Sequence, residues 1–207
     1  MRRFFLRLTV FTIFILNFSC QMNYPEYNQD VIESETYLKN WLICGPLPIE
    51  VNLADTGYVA GDSLVSGFSF DFLKSSGSEH LTTPAAGTIA LMKKINVKSR
   101  WFYHENQDNI LHFDEILKTT KNFVAYAYCQ ITCPEAKDVF LSMDCNNRFA
   151  IFCNGTRAFE LSEEMVDSKS DFRIPMKLNA GENHLMVKME FATGDFGFLV
   201  RFLNEDN

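Results

Sequence analysis

Two short groups of side chains carry the chemistry a ligand could use. The first is Trp101, Phe102 and Tyr103, followed directly by His104, Glu105 and Asn106. Aromatic faces stack on the apolar faces of sugars, and amides and carboxylates at the rim hold the hydroxyls. The second is Asp144, Asn146, Asn147 and Arg148, a polar turn between two apolar runs. For the aromatics, packing in the core is the competing reading, because a sheet buries alternate aromatics in any case. The candidate ligand-binding residues are therefore Trp101, Tyr103, Asp144, Asn146, Asn147 and Arg148.

Signs of catalysis are missing. No G-x-S-x-G, H-E-x-x-H or phosphate-cradling glycine loop occurs, so the expectation is a protein that is not an enzyme, with no catalytic residues. The four histidines, His80, His104, His112 and His184, are scattered and read as surface residues, with no metal site and no cofactor. Glu160, Glu163, Glu164, Asp167 and Asp171 form an acidic stretch. A glycosidase needs two carboxylates fixed on opposite sides of one bond, which a solvated loop does not provide. Such oxygen-rich loops leave room for a structural calcium ion, although no EF-hand-like spacing is present.

The elements that must position these groups are strands. NHLMVKMEF places Leu185, Val187, Met189 and Phe191 on one face and Lys188 and Glu190 on the other, which predicts the first set in the core and the second in water. FRIPMKL places Phe172, Ile174, Met176 and Leu178 inside, and Pro175 puts that strand at an edge or a bulge. FGFLVRFL, VFLSM and RFAIF supply further strands. FVAYAYCQI is apolar on both parities, from Phe123 and Ala125 to Val124 and Tyr126, and reads as a central strand covered on both faces. Asn146-Asn147, Asn154-Gly155, Asn179-Ala180-Gly181 and Gly194-Asp195 mark turns, with Asn154-Gly155 a hairpin signal favoured over its reading as a glycosylation acceptor. Short strands at regular spacing, with only minor helix, predict an all-β antiparallel sandwich or barrel. Trp41 is assigned to packing.

Composition agrees. Of 207 residues, 47% are hydrophobic and 20 are Phe, enough for one large aromatic core. Lys and Arg number 19 against 26 Asp and Glu, and Arg2, Arg3 and Arg7 sit at the very start, so the body is more acidic than the net −7. Such a body does not bind a phosphate backbone, and no nucleic-acid partner is expected. After Cys20 five cysteines remain: Cys44, Cys129, Cys133, Cys145 and Cys153. Cys129 and Cys133 on one strand would lie about 13 Å apart, beyond the roughly 7 Å a disulfide tolerates, so most of these thiols read as small buried apolar groups.

Residues 1–19 combine the early arginines with an apolar run from Leu8 to Leu16, which predicts a signal peptide too short to span a bilayer. Its end resembles a bacterial lipobox, with Asn17 where an aliphatic residue usually stands. The resemblance implies cleavage before Cys20 and lipidation of that cysteine; ordinary secretory cleavage nearby is the alternative. Residues 20–38 then form a polar tether and residues 39–207 a single sandwich domain. The expected location is the bacterial cell envelope, lipid-anchored at the outer membrane, with the membrane itself as one partner.

WLICGPLP, from Trp41 to Pro48, is similar to the W-x-x-x-G-P-[FL]-P opening of a family of secreted bacterial modules with a galactose-binding-domain-like jelly roll, found in lipoproteins of Bacteroidota-like bacteria. Asp71, Phe72 and Leu73 with Gly77 and Glu79 follow, then the Ala125-Tyr126-Ala127-Tyr128 strand. Leu178, Gly181, Asn183, Leu185 and Lys188 match its Leu-x-x-Gly-x-Asn-x-Leu-x-x-Lys, and Gly197, Phe198 and Arg201 its last strand. Cys145 and Asn146 replace the acidic and small residues of the family's polar turn. The resemblance implies a non-catalytic jelly-roll module, carbohydrate-binding or accessory to a glycan-processing system. The alternative is a structural or assembly subunit of an envelope protein complex, for which Phe140, Phe152 and Leu199, read as outward-facing, would form the contact.

Overall fold

The computed structural model of the protein describes residues 37–56, 63–92, 97–163, 170–192 and 196–203. The leader, Cys20, nearly all of the tether, Glu164, Asp167 and the Gly194-Asp195 turn lie outside the described residues. Among the described residues no helix is long and apolar enough to cross a membrane.

Two antiparallel sheets face each other. The larger has six strands in the order β11 (Thr156–Leu161), β10 (Arg148–Cys153), β13 (Gly181–Phe191), β8 (Phe123–Cys133), β1 (Asn40–Leu47) and β6 (Phe102–Glu105). The smaller has four, in the order β12 (Ser170–Leu178), β9 (Lys137–Cys145), β14 (Gly197–Leu203) and β7 (Leu111–His112). From β8 onward the chain weaves between the sheets, with β9, β12 and β14 in the smaller and β10, β11 and β13 in the larger, as in a jelly roll. Two small ribbons, β2 (Glu50–Asn52) with β3 (Leu64–Ser66) and β4 (Ile89–Met92) with β5 (Val97–Arg100), and the short helices α1 (Leu53–Thr56) and α2 (Phe113–Leu117) complete the domain.

The predicted strand faces account for most of this. Pro175 lies in β12, the edge strand, where its missing N–H removes no ladder bond on the open side. Ile174, Met176 and Leu178 of the same strand are buried. β8 runs through the middle of its sheet with Phe123, Ala125, Ala127 and Cys129 in the inter-sheet core and Val124, Tyr126 and Tyr128 in a second core on the opposite face. Asn154 and Gly155 take φ values of 49° and 78° at the tip of the β10–β11 hairpin, the left-handed pair such a tight turn demands. Trp41 is buried, donating its indole N–H to the Leu38 carbonyl at 3.0 Å. Leu38 is itself buried, so the packed domain already includes the end of the segment read as tether.

Two expectations about exposure are corrected. Lys188 and Glu190 do face away from the inter-sheet core, but they are only 2% and 7% exposed. Between β1 and β6 the chain leaves the sandwich and returns across the outer face of the six-stranded sheet. Phe68, Phe70, Phe72 and Leu73 of this strap, with Trp101, form the second core over Val124, Tyr126, Ala150 and Phe152. Period-2 alternation shows which residues share a face; it does not reveal that a distant segment covers it. For the same reason Phe152, read as outward-facing, is buried.

Candidate functional site

The strap is fastened by polar groups. Lys188 Nζ lies 2.6 Å from Glu79 Oε1 and donates to the Phe70 carbonyl at 2.7 Å, while the Tyr126 hydroxyl donates to the same Glu79 oxygen at 2.5 Å. Burial lowers the Lys188 pKa, against which the Glu79 charge acts, and burial together with Glu79 raises that of Tyr126. Asp71 braces the turn that presents Glu79: it accepts from the Leu73 N–H, the Ser78 hydroxyl and the Glu79 N–H at 2.9, 2.5 and 3.4 Å. A second fastening joins Arg148 to Glu190 at 2.9 Å, with Ser66 Oγ donating to Glu190 at 3.1 Å and the guanidinium 4.6 Å from the Phe68 ring centroid. These buried charges are paired, as burial requires. They hold structure, and the Arg148 guanidinium is engaged by Glu190 and Phe68.

The remaining sequence candidates separate. Trp101 is 2% exposed, with its ring against Tyr126 at a centroid distance of 6.3 Å, so neither of its faces is open to a sugar. Tyr103 is half-buried on β6 and its hydroxyl is bound to Asn40 Oδ1. Asn147 is 1% exposed. Tyr103 and Arg148 sit four strand positions apart in one sheet, roughly 19 Å at ordinary interstrand spacing. The aromatic group and the polar turn therefore do not form one site.

Asp144 and Asn146 do come together, in a groove of about 370 Å³ at one end of the sandwich. The end of β9 brings Asp144 beside Leu199 of β14 in register, and the chain before β14 brings Phe196. His112 of β7 and Asp114 of α2 close the opposite wall. His112 Nε2 lies 3.7 Å from Asp108 Oδ2, on the exposed side. Asn146 Oδ1 is buried and accepts no hydrogen bond from any described residue. The groove thus joins carboxylate, amide and imidazole groups to an apolar floor of Phe196 and Phe198. No family model and no curated protein matches this chain. It is similar to solved structures of the β-glucosidase from Kluyveromyces marxianus, one selenomethionine-labelled and one in complex with glucose. The identities are 10% and 11% and the TM-scores 0.42 and 0.43; in both, 57% of this chain matches 16% of the other.

Of the acidic stretch, Glu160 pairs with Arg157 and Asp171 accepts from the Ser142 hydroxyl at 2.6 Å. Among the described residues no group of three or more His, Cys, Asp or Glu side chains is arranged to hold a metal ion.

A second groove, of about 320 Å³, lies at the other end, on the outer face of the six-stranded sheet. Sequence reasoning missed it. Its walls come from three segments far apart in the chain, 79–83, 154–155 and 179–184, and only Asn154-Gly155 and Asn179 carried a local signal, as turns.

Proposed function

We propose that the protein is a non-catalytic, lipid-anchored module of the bacterial cell envelope that binds saccharide in the groove of Asp144 and Asn146. The observation that carries this reading is the groove itself, where Asp144, Asp114 and the Asn146 side chain stand around Phe196 and Phe198. Asp144 and Asp114 accept from sugar hydroxyls, and Phe196 offers an apolar surface to a pyranose face. The lipid anchor at Cys20 rests on the sequence of residues 1–20 and would keep the groove close to envelope glycans.

The test is affinity electrophoresis of the protein in sugar-free detergent against plant, host and bacterial-wall polysaccharides. Retardation by one polysaccharide that is lost in Asp144→Asn and in Asn146→Ala supports the reading. No retardation by any polysaccharide overturns it and favours an assembly role, for which half-buried Phe140 and Leu199 are the remaining candidates.

A further inference from the structure

The second groove is more firmly built than the first. Asn183, fully buried, accepts from Asn154 Nδ2 and from the Asn179 N–H, both at 2.8 Å, and donates to the Asn179 and Gly181 carbonyls at 2.9 and 3.2 Å. Asn154 Oδ1 in turn accepts from the His184 N–H at 2.9 Å. The hairpin tip also meets the strap: a Cβ on Gly155 would stand 2.8 Å from the His80 carbonyl oxygen. Three loops are thus locked to one another before any ligand arrives, which reduces the ordering cost of binding.

Within this frame Tyr128, His184 and Glu182 form a chain. The Tyr128 oxygen lies 2.6 Å from His184 Nδ1, and His184 Nε2 lies 3.2 Å from Glu182 Oε1. A carboxylate only accepts, so in the neutral imidazole Nε2 carries the proton and Nδ1 accepts from the Tyr128 hydroxyl. Burial, reinforced by Cys129 and Glu182, raises the Tyr128 pKa and keeps it a hydroxyl. With its proton committed to His184, Tyr128 has only lone pairs left for a ligand. The Asn179 side chain is exposed in the lining and its amide offers both a donor and an acceptor. Phe152 and Met186 add an apolar wall, and the Lys188 cation is already paired with Glu79.

We infer that the groove between residues 79–83, 154–155 and 179–184 is a second ligand site, for a single neutral saccharide ring. Neutral hydroxyls suit this lining because they both donate and accept, as Tyr128, Glu182 and Asn179 together require. An acidic ligand would meet Glu182 with no unpaired lysine or arginine among the lining residues. The volume lies at the lower end of the roughly 300–1,000 Å³ usual for small-molecule sites, which fits one ring. This inference does not depend on the Asp144 groove, since the two lie at opposite ends of the sandwich.

Saturation-transfer NMR tests it on the full chain in a sugar-free zwitterionic detergent, with the methyl glycosides of glucose, galactose, mannose and N-acetylglucosamine as probes. The Asp144→Asn variant isolates the second groove. In that background at least one glycoside should receive saturation. Adding Tyr128→Phe or Glu182→Gln should weaken its binding about tenfold, the equivalent of one hydrogen bond. Glu182 has a half-exposed side chain, so Glu182→Gln keeps the test valid if Tyr128→Phe fails to fold. No transfer to any glycoside in the Asp144→Asn background, or transfer unchanged by both further substitutions, overturns the second site. Polysaccharide retardation that survives Asp144→Asn, with transfer retained in that background, would sink only the first reading.

Discussion

Lys188 and Glu79, separated by 109 positions in the chain, form a 2.6 Å ion pair between a central strand and the strap that covers it. The lysine side chain is 2% exposed and the carboxylate 13%. Around them the motif residues Asp71, Phe72 and Tyr126 converge, which gives those scattered short motifs one physical purpose: fixing the strap to the sheet.

Breaking that pair from either side should be costly. Lys188→Met leaves the Glu79 carboxylate without its cation, and Glu79→Gln leaves a buried ammonium without its counter-charge. Each single change should lower stability by about 3–5 kcal/mol in urea denaturation. The double variant should cost clearly less than the sum, because neither charge is then stranded. Additive losses would show that the pair is not coupled. Limited proteolysis should also cut between residues 66 and 82 in either single variant before it cuts the sandwich strands.

Trp101→Ala provides a sharp discrimination between the two readings of that residue. As a buried ring packed on Tyr126 it should lower stability by about 3–5 kcal/mol on truncation to Ala. Polysaccharide retardation of the folded fraction should stay unchanged. Lost retardation at unchanged stability would return Trp101 to a binding face.

The sandwich was legible because strands carry a local period. Nine residues of β8 suffice to show a strand covered on both faces, and one proline marks the edge position of β12. Lys188 and Glu190 read as exposed because charge is a statistical sign of exposure, while their actual burial depends on Phe68 and Glu79, which lie more than 100 positions away in the chain. The second groove escaped for a similar reason. Its Tyr128, His184 and Glu182 have no characteristic spacing; β8 and β13 bring them together only through their register, with Tyr128 opposite Met186.

The thiols predict the alkaline behaviour. Burial pushes Cys44 and Cys153 up to about 11 and Cys145 up to about 12, from 9.0 in the unfolded chain. Between those values the unfolded state has lost protons that the folded state keeps, so stability must fall as pH rises above about 9. A two-unit gap on a fully buried thiol such as Cys44 is worth up to about 3 kcal/mol once the pH exceeds both values. The lowered Lys188 acts in the opposite direction, favouring the fold as pH rises toward 10.5, but it is a single group. The urea midpoint should therefore drop steadily from pH 8.5 to 10.5. A flat profile would mean that the thiols are not buried as described. All five of these cysteines are free, and Cys129 and Cys153, one strand removed from each other across Leu185, are about 10 Å apart and cannot join. Native protein should accordingly react slowly with thiol reagents, the half-buried Cys153 first.

Asn183 should prove the most demanding polar position at the second groove. It is fully buried and serves four partners at once, tying the β12–β13 corner to the β10–β11 hairpin. Asn183→Ala strands the Asn154 amide and the Asn179 N–H without an acceptor and should cost about 2–3 kcal/mol. Asn183→Asp restores the acceptor but removes both donors and buries a charge, so it should be no more stable than the alanine variant at pH 7 and should recover as the pH falls and the carboxyl protonates. If Asn183→Asp were as stable as the parent at pH 7, the two donated hydrogen bonds to Asn179 and Gly181 would contribute nothing, and the locked-loop account of the groove would fail with them.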